Sequence, residues 1–109
     1  MPVFNLYKEI QPTYGELLSL LDEMGYSKQI VDIKRPISKI HTKQYRLENP
    51  EHKSFILLPL LSDDTPVLKG FFAGYCIQLY WEGVTDDEQY MPKMIDKRRM
   101  AQKNQVSAQ

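Results

Sequence analysis

A chain of 109 residues, 42% of them apolar, can bury one core without disulfides or metal and is too short for two independent domains. A formal net charge of zero argues against a protein whose main work is to blanket phosphate. The single cysteine, Cys76, cannot form an internal disulfide and sits in an apolar run, which favours a reducing, cytoplasmic setting. The N-terminus lacks the order of charge, apolar run and small residues of a secretion signal, and no run approaches the roughly 18 apolar residues of a membrane span, so the chain is expected to be neither exported nor membrane-bound.

The total conceals a segmented charge. From Lys28 to Lys53 there are seven basic residues (Lys28, Lys34, Arg35, Lys39, Lys43, Arg46, Lys53) against three acids. From Leu61 to Tyr90 six acids face only Lys69, and the tail turns basic again. Blocks of this kind can set a polyanion on one side of a fold; the alternative is solvated faces that happen to segregate.

Residues 1–12 form an N-terminal extension that is expected to be ordered, because Val3, Phe4, Leu6 and Tyr7 are apolar. Thr13 followed by Glu16 is a capping box, so a helix starts at Tyr14. Leu17, Leu20, Leu21 and Met24 make one apolar stripe, and Gly25 supplies the stop. Ile30, Val31 and Ile33 read as a short strand broken at Pro36, and Ile40 to Leu47 as a second. The Glu48-Asn49-Pro50-Glu51 segment folds that strand back onto a third, Ser54 to Leu60. This third strand is apolar at every second position on both faces, which predicts a central place or a cover on each side; Pro59 predicts an end to pairing or an open edge.

Leu68, Phe71, Phe72, Tyr75, Cys76, Leu79 and Tyr80 keep helical spacing up to Gly83, at the expense of Gly70 and Gly74, each about 1 kcal/mol worse than alanine in a helix. Ala73, Ile77 and Trp81 add a further stripe, to be wrapped by the core or by a partner, either another copy of the chain or a different protein. A second capping box, Thr85 to Glu88, predicts about one helical turn before Pro92 breaks it, followed by a basic and polar tail over 91–109, partly disordered. The expected fold is an α+β α-β-β-β-α sandwich, a three-stranded antiparallel sheet with two helices packed on it, in a single domain spanning 13–90.

No Cys-x-x-Cys, His-Glu-x-x-His, phosphate-cradling glycine loop or Gly-x-Ser-x-Gly is present, and two histidines, His41 and His52, are too few for a zinc centre without recruited carboxylates. No cofactor or metal is implied. Asp63 and Asp64 precede a helix and read as helix-end acids. His52 falls in a turn, is expected to be exposed, and is given no role.

The segment Thr13-Tyr14-Gly15-Glu16-Leu17-Leu18-Ser19-Leu20-Leu21-Asp22-Glu23-Met24-Gly25-Tyr26 resembles the opening of HicA-like toxin domains, whose first helix ends at a glycine followed by an aromatic. Tyr45-Arg46 through Pro59, and Ala73 to Val84 with its closing Gly83-Val84, are similar to the rest of that family's pattern. The resemblance implies a double-stranded-RNA-binding-domain-like fold, a ribonuclease acting on messenger RNA through a strand histidine, and a HicB-type antitoxin partner. Counted back from Tyr45, the family's histidine position falls on Thr42, and His41 lies one residue earlier. Strand alternation places His41 with Lys43, Tyr45 and Leu47 rather than with Gln44 and Arg46. His41 is the candidate general acid or base, since an imidazole suits either role on an RNA 2′-hydroxyl. Lys34, Arg35, Lys39, Lys43 and Arg46 are the candidate phosphate contacts. The competing reading is a catalytically silent interaction module working through Ala73, Ile77 and Trp81.

Overall fold

A computed structural model describes residues 9–34 and 41–107. Thr13 caps the first helix, α1 (Tyr14–Glu23), through the reciprocal bonds expected of the box: Glu16 N–H donates to Thr13 Oγ1 at 3.2 Å and Thr13 N–H to Glu16 Oε1 at 3.0 Å. Gly25, at φ +100°, ends it. Three strands follow, β1 (Ser27–Lys34), β2 (His41–Asn49) and β3 (Ser54–Pro59), then α2 (Lys69–Trp81) and α3 (Tyr90–Ser107). The sheet is antiparallel in the order β1-β2-β3. The element order therefore agrees with the α+β sandwich read from the sequence, with one helix more.

Two strand expectations change. β2, with its mixed polar residues, is the central strand, and the apolar β3 is an edge that ends at Pro59. β3 alternates strictly: Ser54, Ile56 and Leu58 are buried, whereas Phe55 and Leu57 are exposed on the face that no helix covers. Two-sided apolarity here marks one core face and one open face, not cover on both.

The longer correction concerns the tail. Thr85 and Glu88 do not cap a helix; Thr85 is buried with its hydroxyl unpartnered among the described residues. Two residues further on, Asp87 closes the turn that leads into the helix, its Oδ1 accepting from Gln89 N–H at 2.9 Å and its carbonyl from Tyr90 N–H at 3.1 Å. Shifting the start to Tyr90 puts Pro92 inside the first turn, where its missing N–H has no intrahelical acceptor to lose. The helix then continues for 18 residues instead of breaking, with Met91 and Ile95 buried in the core.

Asp63 serves a helix end, though not that of α2. Its carbonyl accepts from Gly15 N–H at 3.0 Å, and Thr65's carbonyl from Tyr14 N–H at 2.9 Å, so the loop after β3 closes the start of α1. The approach is close enough that a Cβ on Gly15 would lie 2.9 Å from Asp63 Cβ. Val67 N–H to Pro12 O at 2.8 Å extends the same seam, and Ile10 and Pro12 are buried beside it. Val3, Phe4, Leu6 and Tyr7 lie outside the described residues.

The core joins Leu17, Leu20 and Leu21 of α1, Leu47, Ile56 and Leu58 of the sheet, Phe72, Cys76 and Leu79 of α2, and Met91 and Ile95 of α3. Through this apolar body runs one polar chain. Ser54 has a single hydroxyl hydrogen, which it donates to Glu82 Oε1 at 2.6 Å; the 2.6 Å contact with Tyr26 therefore has the phenol donating to Ser54 Oγ. The chain ties the exit of α1 to the start of β3 and the end of α2. Replacing Ser54 with alanine removes the acceptor of a buried phenol and should cost about 1–3 kcal/mol by urea unfolding. Adding Tyr26→Phe should then cost little more, because the orphaned hydroxyl leaves with it.

Arg99 of α3 holds Glu16 of α1 with two parallel bonds, Nη2 to Oε1 at 2.6 Å and Nε to Oε2 at 2.7 Å, and donates to Gln11 O at 3.0 Å. The guanidinium hydrogen bonds hold the Glu16 carboxyl below its ordinary 4.5, against a smaller opposing effect of burial. A depressed carboxylate contributes stability that is full above its unfolded pKa and is lost as pH falls through the folded one. Arg99→Ala should thus lower stability by about 0.5–1 kcal/mol at pH 7, given the partial exposure of the pair. The gap between variant and wild type should narrow as pH falls below 4.5, as measured by denaturation at several pH values.

Candidate functional site

Pairing between β1 and β2 runs from Ser27↔Glu48 out to Lys34↔His41, but β3 joins β2 only from Gln44↔Pro59 onward. Residues 32–34 and 41–43 therefore form a two-stranded arm beyond the three-stranded sheet. The sequence from Ile33 to Leu47 contains Lys34, Arg35, Lys39, Lys43, Arg46 and His41 and no acid, and the arm itself carries one acid, Asp32. Antiparallel pairing sets Lys34 across from His41 and Asp32 across from Lys43 on this arm, whereas Arg46, across from Gln29 and Leu57, lies within the three-stranded sheet.

The individual positions differ. Lys43 is exposed on the arm, opposite Asp32. Lys34 and His41 are backbone partners at the last described rung; their side chains, like all of Arg35 and Lys39, lie outside the described residues. Arg46 is paired with Glu48 at 2.5 Å, and its guanidinium lies 4.5 Å from the centre of the Phe55 ring. That stack depends on the register, since Phe55 faces Glu48 and Leu57 faces Arg46 across β2 and β3.

Lys28 adds to this region in a way the sequence did not single out. It pairs with Leu47 on the helix-side face, and its Nζ sits 4.8 Å from the centre of the Tyr45 ring. The helices cover β2 and β3 on that side but not β1, so that Lys28 remains exposed and Ile30, opposite Tyr45, is 62% exposed. The signal was present in the even spacing of Lys28, Ile30 and Asp32. Only the edge position of β1 shows that all three face solvent.

At the other end of the molecule, Ala73, Ile77 and Trp81 are unequally free. Ala73 packs against the core, Ile77 is half-buried, and Trp81 is 78% exposed. Cys76 points inward from the same helix, and burial pushes its thiol up to about 12, which removes it as a nucleophile. His52 is half-buried within the β2–β3 turn rather than exposed. Among the described residues no helix is long and apolar enough to cross a membrane. No family profile, curated protein or solved structure matches the chain, so the likeness to HicA-like domains rests on the motifs quoted above and on the element order.

Proposed function

We propose that this protein binds RNA through the basic β1–β2 arm. The observation that carries the reading is the two-stranded arm of residues 32–34 and 41–43, which takes Lys34 and Lys43 beyond the three-stranded sheet, within a sequence from Ile33 to Leu47 that holds no acid. A ribbon of lysines and arginines on a neutral protein is a local phosphate-binding feature: it releases counterions where it docks, without coating the whole surface in charge. The α-β-β-β-α order shared with double-stranded-RNA-binding domains supports RNA as the polyanion, because such domains read duplex shape and backbone rather than base sequence. Lys34, Arg35, Lys39 and Lys43 are assigned to phosphate. Arg46, already neutralised by Glu48, is assigned to the open sheet face instead.

The reading contains no bond-breaking step, since the family's histidine position falls on Thr42 and His41 lies one residue earlier. Fluorescence anisotropy with labelled duplex and single-stranded RNA at two salt concentrations tests it. Binding should weaken steeply with salt, and the combined Lys34→Gln, Lys39→Gln, Lys43→Gln variant should lose affinity for all sequences alike, its salt slope falling by about one for each phosphate contact removed. No binding at low salt, or binding indifferent to salt, would remove RNA as the ligand. The same samples run on a denaturing gel should show intact RNA; cleavage that disappears in His41→Ala would replace the binding reading with an endoribonuclease.

A further inference from the structure

Beyond Ile95, α3 leaves the core. From Asp96 to Lys103 no side chain is buried, and only that of Arg98 is half-buried. A cleft of about 330 Å³ opens between the helix, at Ile95, Arg98 and Gln102, and the start of α1 with its closing loop, at Gly15, Ser19 and Asp63. What bridges this cleft is charge. Arg99 takes the Glu16 carboxylate with two bonds and the Gln11 carbonyl with a third, while Arg98 pairs with Glu23 and donates to Ser19 Oγ at 3.3 Å. The two helices are complementary in composition: α1 carries Glu16, Asp22 and Glu23 and no base, whereas residues 97–103 carry Lys97, Arg98, Arg99 and Lys103 and no acid.

We infer that α3 after Ile95 is a strap latched by charge: α1 occupies its arginines in the place of an external polyanion, and a polyphosphate chain in excess displaces α1 and releases the strap while the core stays folded. Burial of apolar surface would hold a helix down at any ionic strength, but ion pairs as exposed as these weaken when salt screens them. So short a stretch is a marginal helix in water, and its order therefore follows its attachment. Met91 and Ile95 are buried and stay with the core, so opening runs from Ser107 back toward Ile95. Once off α1, residues 97–103 present their four cations with no acid between them, a composition that binds phosphate by releasing its counterions. The strap shares no residue with the β1–β2 arm and stands whether or not that arm binds RNA.

Hydrogen–deuterium exchange of the full chain, read over residues 97–103 and over β2, tests this. In about 1 M salt, where charges are screened within about 3 Å, exchange over 97–103 should rise about three- to tenfold while that of β2 stays as it was. Inorganic polyphosphate at low salt should produce the same local rise, in the wild type and in the Lys34→Gln, Lys39→Gln, Lys43→Gln variant alike. Glu16→Gln keeps the capping box, which accepts glutamine at this position, and removes only the ion pair; combined with Glu23→Gln it should open the strap already at low salt. Exchanging the partners, Glu23→Arg with Arg98→Glu, should restore the protection that either substitution alone removes. Protection over 97–103 that is indifferent to salt and to these substitutions, or that is lost only together with that of β2, overturns the latch. A strap that opens with salt but not with polyphosphate overturns the displacement.

Discussion

One constraint organises the molecule: a three-stranded sheet with helices on one face only. Leu47, Ile56 and Leu58 must then share that face, and the register that aligns them fixes the direction of every other strand residue. Phe55 and Leu57 are turned outward as a consequence, and Arg46 arrives where its guanidinium can cover the Phe55 ring. Three strands offer too little width for the helices to reach β1, which leaves Lys28 and Ile30 in solvent. The basic arm and the exposed helix face are both by-products of how little the core can cover.

The polar contacts serve the same end. Loop carbonyls of Asp63 and Thr65 close the N-terminus of α1, the Tyr26–Ser54–Glu82 chain pins α1, β3 and α2 together, and Arg99 ties α3 back to Glu16. Glu16 has two tasks, since its carboxylate answers both the capping box and the guanidinium. The start of α1 is therefore where the N-terminal approach, the loop after β3 and the last helix converge.

Local signals were legible wherever a short stretch carried its own physics. Thr13 with Glu16, the leucine stripe, Gly25 and Gly83 fixed two helices almost to the residue, because caps and left-handed stops are decided within one turn. Signals that depend on distant chain were not legible. Asp63 looked like a partner for the helix that follows it, and only the fold brings it to α1. Thr85 satisfied the capping pattern, but burial took its hydroxyl and the helix starts at Tyr90, which turned Pro92 from a breaker into a first-turn residue. The apolar alternation of β3 was read as double cover because sequence gives the period of a strand and not its neighbours. The candidate site was half visible: the cations could be named, but that Lys34 and Lys43 lie on a two-stranded arm depends on β3 pairing with only part of β2.

The outer position of β1 has a consequence for solubility. Among the described residues no strand pairs with its outer side, whose backbone donors and acceptors could accept a further strand, and Ile30 and Val31 would favour such growth into larger aggregates. Lys28 and Asp32 stand on either side of Ile30 on the same face, so an incoming identical strand would have to desolvate or oppose charges on both flanks of its one large apolar contact. The opposite edge is guarded differently: Gln78 reaches from α2 to occupy the carbonyl of Phe55 at 3.1 Å, and Pro59 offers no amide hydrogen to a newcomer. A small sheet that cannot close on itself is thus kept from polymerising by charge along one border and by a side-chain bond and a proline along the other.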